Sequence, residues 1–151
     1  MSRRERSQVT VIVDEHGDPA LRYLDDARAV AKDNAVDLAL RTKVVCALVR
    51  EAIEAKCHDL VLIDGMRTGR RVTELEAALE GATRLRQTLA LALLGDPSRD
   101  AELNARLSRL HPRGPRIVSD ANRGAHGQLI DGQLTVLVSD ARELVTGMER
   151  R

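Results

Sequence analysis

Apolar and polar positions alternate in blocks along the first part of the chain, and the blocks predict a strand, a turn and a helix. Residues 8–13 (QVTVIV) form a β-branched run typical of a strand, which ends at Asp14. Asp18 and Pro19 then place an N-cap residue before a proline at the first helical position. Apolar residues recur at helical spacing from there to about residue 34.

A second unit of the same kind follows. Residues 36–42 alternate in polarity, which predicts a strand, and residues 44–57 carry an apolar stripe, which predicts a helix. Residues 59–64 (DLVLID) are a compact apolar run, typical of a strand that is buried on both faces. Strands that alternate with helices of this length favour right-handed crossovers and a parallel sheet. We therefore predict an α/β fold with a β-α-β-α-β core over residues 8–71.

The second half of the chain predicts more helix than strand. One helix is expected over 73–94, with Thr73 and Glu76 at capping-box spacing, and Gly95 is expected to end it. A second helix is expected over 97–110. The rest of the sequence predicts a short strand (116–119), a polar loop (120–127), a hairpin turn (131–132), a strand (134–138) and a last helix (140–148).

The length of 151 residues suits one domain. We therefore expect a single domain over residues 1–151. It begins with a flexible N-terminus (1–7) and the β-α-β-α-β core (8–71), and it continues with a helical pair (72–112) and a strand-hairpin-helix tail (113–151).

Charge and composition argue against two classes of partner. The 24 basic residues nearly cancel the 23 acidic ones, and the chain has no Phe or Trp and one Tyr, Tyr23, so nucleic acid is an unlikely partner. No apolar stretch reaches the roughly 18 to 20 residues that a membrane span needs. The basic start of the chain lacks a signal cleavage site. We therefore expect a cytoplasmic protein that does not bind membranes.

Residues that carry chemistry do not form a recognised catalytic or metal motif. Cys46 and Cys57 lie eleven residues apart on one predicted helix, about 16 Å along its axis, which no disulfide spans. The four histidines show no metal-ligand spacing with each other or with the cysteines. No nucleophile elbow is present. Nothing in the sequence supports an enzymatic activity, and we predict no bound metal ion.

Two stretches resemble the universal stress protein family: VTVIVDEHGDPALRYLDDARAVA and LVREAIEAKCHDLVLIDGMRTGRR, within residues 8–71. The resemblance implies a Rossmann-like or flavodoxin-like sheet with helices on both faces, and dimerisation through a late strand. In some members it also implies ATP or another adenine nucleotide. The glycines depart from the family's nucleotide motif, because three residues separate Gly65 from Gly69 and the next glycine, Gly81, precedes Ala82 and Thr83.

The best candidate site is the segment 64–71, which follows the carboxyl end of a predicted central strand. Its backbone N–H groups and arginines near a helix N-terminus suit a phosphate, whereas a solvated turn is the alternative. The predicted ligand-binding residues are Asp14, Asp64, Gly65, Arg67, Thr68, Gly69 and Arg70. A second candidate is the polar segment 119–127. Its residues Asp120, Asn122 and Arg123 either line part of a binding crevice or belong to an ordinary loop.

These patterns lead to two functional hypotheses. The first is a non-enzymatic regulatory or binding module that holds an adenine nucleotide or phosphate at 64–71. The second is an assembly protein without a small ligand, which forms a homodimer or larger homo-oligomer through helix 73–94. That helix is apolar almost all round from residue 88 onward, so either a partner subunit or the rest of the monomer must cover it.

Overall fold

The computed structural model describes residues 17–130 and 132–150, and within these residues the chain forms helices and no strand. The prediction of an α/β fold with a parallel sheet is therefore wrong. The predicted strand at 8–13 lies outside the described residues. The helices, in chain order, are α1 (Pro19–Ala31), α2 (Leu38–Arg67), α3 (Val72–Gly81), α4 (Leu85–Leu94), α5 (Asp100–Leu110), α6 (Gly114–Ala125) and α7 (Leu134–Met148).

Helix α1 begins as the sequence predicts. Asp18 is its N-cap, and the Asp18 carboxylate accepts a hydrogen bond of 2.9 Å from the backbone N–H of Ala20. Pro19 stands at the first helical position, where its missing N–H costs nothing. The buried face recurs every three or four residues, at Ala20, Leu24, Ala27 and Ala31.

Helix α2 replaces two predicted strands. It runs for 30 residues, about 45 Å, and includes most of 36–42 and all of 59–64. Buried positions recur at three- and four-residue spacing from Thr42 to Gly65, so the helical period continues through 59–64, whereas Leu38 and Leu40 at the start of the helix are exposed. In the run DLVLID it buries Leu60 and Val61 and leaves Ile63 exposed. A sheet buried on both faces would bury all three.

The predicted helix 73–94 is two helices. α3 ends at Gly81, and α4 begins at Leu85. The expected capping box of Thr73 and Glu76 is also wrong, because α3 begins at Val72 and the Glu74 carboxylate accepts from the N–H of Arg71 at 3.2 Å. Gly95 ends α4 with φ of 80°, as predicted.

Helix α5 ends at Leu110, before His111 and Pro112, as the sequence predicts. The predicted strand at 116–119 and loop at 120–127 are instead α6 and its C-terminal cap, and the strand at 134–138 is the first part of α7. The helical period is present in both segments. In α7 the buried positions are Leu134, Leu137, Val138, Asp140, Ala141, Leu144, Val145 and Met148.

The helices pack around α2. It contacts α1, α3, α4, α6 and α7, while α5 packs on α4 and α6. The buried face of α4 includes Leu85, Leu89 and Leu93, so the monomer itself covers this apolar helix. The hydrophobic core is built from aliphatic side chains, Ala, Cys and Met. None of the described helices has both the length and the apolar character to cross a membrane.

Candidate functional site

The predicted site at 64–71 lies at the end of α2 and not after a strand. Asp64, Gly65 and Arg67 are in the last turn of the helix, and Gly69 has φ of 85°. The N–H of Arg70 donates to the carbonyl of Gly65 at 2.8 Å, and the N–H of Gly69 donates to that of Met66 at 3.1 Å. This pair of bonds is a Schellman motif, so Gly69 is the left-handed residue that ends a helix.

Several of the predicted residues nevertheless meet at one cleft. Asp64, Gly65, Thr68 and Arg70 line a cleft of about 270 Å³ between α2, α3 and α4. Arg67 lines a different cleft, with Leu60 and Ile63, and Asp14 lies outside the described residues. The ends of α2 and α4 are both at the first cleft, and helix C-termini carry partial negative charge. Asp64 and these two C-termini oppose a phosphate, against the opposite effect of Arg70 and the N-terminus of α3.

A cluster that the sequence did not predict joins the corner between α5 and α6 to α7. His111 Nε2 lies 2.7 Å from Glu143 Oε1 and 3.9 Å from Asp140 Oδ1. Arg113 makes two bonds to Asp140, of 2.8 and 2.7 Å. The cluster brings together residues about thirty positions apart, so no local spacing indicates it.

The donor atoms of His111, Asp140 and Glu143 lie within 4.8 Å of one another, as metal ligands would. The hydrogen bonds argue against a metal. The N–H of Arg113 donates to His111 Nδ1 at 2.9 Å, so in the neutral ring Nε2 carries the proton and donates to Glu143. Both oxygens of Asp140 face the Arg113 guanidinium. This cluster is therefore an interhelical ion-pair and hydrogen-bond network.

A second charge cluster joins α1, α2 and the end of α7. Lys56 is buried on α2, contacts Asp18 and lies 3.5 Å from Glu149. Burial lowers the Lys56 pKa, but the two carboxylates raise it by more, so the net pKa is above its ordinary value. Lys56 is therefore charged at neutral pH and ties the start of α1 to the centre of the bundle.

Neither cysteine is an accessible nucleophile. Cys46 and Cys57 are both buried in the core. Burial raises the pKa of the Cys46 thiol to about 11, and the negative charge of Asp120 acts in the same direction. Because the thiolate is the reactive form, Cys46 is inert at neutral pH.

Two clefts lie on either side of α6. A cleft of about 400 Å³ separates α6 from α7, and a cleft of about 570 Å³ lies between α6 and the α4–α5 pair. Arg116 and Asp120 line both clefts. We call the two adjoining clefts the arginine groove. Arg113 lines the first cleft, and Arg86 and Arg123 line the second.

The basic groups of the groove are open to solvent, whereas its two acidic groups, Asp120 and Asp140, are covered. The side chains of Arg116 and Arg123 are 65% and 48% exposed, whereas that of Asp120 is 10% exposed. Arg123 Nη2 lies 2.6 Å from Asp120, and Arg116 Nε lies 3.5 Å from it. A guanidinium has five N–H donors, so both arginines keep donors beyond these contacts.

Apolar side chains complete the groove. Ile117 and Leu137 are buried in the floor of the α6–α7 cleft, and Val136 beside them is 47% exposed. Leu129, which is 75% exposed, lines the other cleft. The groove therefore offers guanidinium groups next to exposed aliphatic groups.

Part of the arginine groove could be predicted from the sequence. The second predicted site, 119–127, contains Asp120 and Arg123, which the structure places in the groove as helical residues. Arg116 was assigned to a strand, although Arg116, Asp120 and Arg123 have the four- and three-residue spacing of one helix face. The walls that α4, α5 and α7 contribute to the groove depend on tertiary structure.

Comparison of the chain with protein-family models, curated proteins and solved structures finds no match. The resemblance to universal stress proteins therefore stays a prediction.

Proposed function

We propose that this protein is a non-enzymatic binding module, and that it binds an acidic segment of a partner protein in the arginine groove. The observation that carries the proposal is the pair of adjoining clefts that share Arg116 and Asp120. The exposed guanidinium groups there retain donors, whereas the His111 and Lys56 clusters are satisfied within the bundle.

The charge distribution supports an acidic partner. Residues 84–123 contain eight arginines and four acidic residues, although the net charge of the whole chain is only +1. Four of these eight arginines line the groove. Arginine pairs with carboxylates through planar, two-pronged hydrogen bonds, which fix the orientation of the partner.

The surroundings of the arginines favour a polypeptide over a nucleic acid. Val136 and Leu129 give aliphatic side chains a place to pack, and Arg beside apolar residues is typical of protein interfaces. The cytoplasmic location expected from the sequence is part of this proposal.

A labelled helical peptide of Glu and Leu tests the proposal by fluorescence anisotropy. We expect it to bind the wild-type protein, and we expect Arg116→Gln to weaken binding by about tenfold, the effect of losing one charge-assisted hydrogen bond. Arg123 still pairs with Asp120 in this variant, so the fold is preserved.

The matched control is Arg22→Gln, which removes an exposed arginine from α1, away from the groove. A peptide with Lys in place of Glu is the control for charge. Equal affinity for the Glu and Lys peptides, or equal losses in the Arg116 and Arg22 variants, would contradict the proposal.

The predicted adenine-nucleotide site is a second candidate function, because four of its residues line the cleft at the end of α2. Thermal unfolding with and without ATP tests it. A rise in Tm that Arg70→Ala abolishes would support nucleotide binding there. We expect no such rise, since the two helix C-termini at this cleft disfavour phosphate.

A further inference from the structure

We infer that the acidic segment bound by the arginine groove is helix α3 of a second copy of this chain. The inference rests on the proposed function, because it names the partner of the same groove. It is carried by charge complementarity between two exposed surfaces of one molecule.

Helix α3 is the acidic counterpart of the groove. It contains Glu74, Glu76 and Glu80 and no basic residue, and all three glutamates are exposed. The Glu74 carboxylate accepts the bond from Arg71 that caps the helix. Within the described part of the chain, Glu76 and Glu80 have no hydrogen bond or ion pair of their own.

The acidic surface of α3, like the groove, combines charged and aliphatic side chains. Glu76 and Glu80 are one turn apart on an exposed flank of the helix, beside the stripe of the buried Leu75 and Leu79. Val72 is one turn before Glu76 in the same four-residue row and is 42% exposed. The helix thus presents two carboxylates and an aliphatic side chain to a surface of arginines and aliphatic groups.

The contact joins two different faces of the protein. Each copy offers one α3 and one groove, so two copies either exchange both contacts in a closed dimer or extend into a longer chain. Because the contacts are exposed charge pairs, we expect a weak association that screening by salt reverses.

Charge reversal tests the inference without assuming the form of the assembly. The first variant, Glu76→Arg with Glu80→Arg, gives two basic surfaces, and the second, Arg116→Glu, weakens the basic groove. Sedimentation velocity at low ionic strength should show that wild-type protein self-associates and that each variant alone does so at least about tenfold more weakly. An equimolar mixture of the variants should recover association, since each supplies the surface that the other lacks.

The control is Glu51→Arg, which reverses an exposed charge on α2 and should leave self-association unchanged. Circular dichroism checks that the variants are folded, and Arg116→Gln replaces Arg116→Glu if the latter unfolds. Wild-type protein that stays monomeric, or a mixture that fails to recover association, would overturn the inference. If the Glu–Leu peptide still binds in that case, the proposed function stands and its partner is another protein. If neither association occurs, both are wrong.

Discussion

Gly124 lies where α6 crosses α2 at close range. A Cβ at this position would overlap with the thiol of Cys46 and lie 2.7 Å from its Cβ. Only glycine therefore lets the two helices approach this closely. The crossing matters for the groove because Asp120 and Arg123 precede Gly124 on the same helix.

Gly124→Ala should destabilise the protein by about 1–3 kcal/mol, the usual cost of inserting a methyl group into a packed core. Urea unfolding measures the change. Gly81→Ala is the matched control, because a Cβ there meets nothing within 4 Å, and it should be neutral or stabilising by up to about 1 kcal/mol. Equal effects of the two substitutions would show that the crossing is not tightly packed.

Single residues also explain which local predictions succeeded. Asp18, Pro19 and Gly95 act through their own backbone geometry, so the ends that they mark are where the sequence placed them. Gly69 and Gly127 have equally local roles, each in the left-handed conformation just after a helix. The sequence analysis places both in ligand loops, because it predicts no helix that ends before them.

At the scale of the elements, the His111 cluster fixes the corner between α5 and α6 against α7. The hydrogen bonds from Arg113 lower the pKa of Asp140 below its ordinary value, against the opposing effect of burial. A carboxyl group with a lowered folded-state pKa stabilises the protein above its unfolded pKa of about 3.9, and this contribution is lost as pH falls through the folded-state value.

We therefore expect Arg113→Met to lower the urea midpoint at neutral pH, and we expect the difference from wild type to shrink below about pH 4. Arg142→Met is the control, because Arg142 pairs with the exposed Asp25 and should contribute less. A difference that stays constant down to about pH 2 would show that Arg113 acts through packing and not through the charge of Asp140.

Element type was where the sequence prediction failed. The segments VDLALRT, DLVLID and LTVLV are short and apolar, and each is rich enough in branched residues to favour a strand. DLVLID and LTVLV also belong to a three- and four-residue period that extends well beyond them, most clearly from Leu134 to Met148, and VDLALRT leads into the start of α2. The longer period determines the structure, because it lets one helix face be buried along its whole length.

At the scale of the whole molecule, two long-range features could not be predicted from the sequence. One is the position of α2 at the centre of the bundle, which follows from its contacts with five other helices. The other is the arginine groove, which needs α4, α5 and α7 beside α6. Local patterns locate Arg116, Asp120 and Arg123 on one face but give no information about what lies across from it.

The near absence of aromatic residues gives the protein weak ultraviolet absorbance and no intrinsic tryptophan fluorescence. With no Trp, and with Tyr23 as the only aromatic residue, the chain absorbs little near 280 nm and has no indole fluorescence. A tryptophan introduced at the exposed Val136 would therefore be the only indole emitter, and it would lie in the α6–α7 cleft. Its emission would report occupancy of the groove directly, without a signal from the rest of the molecule to subtract.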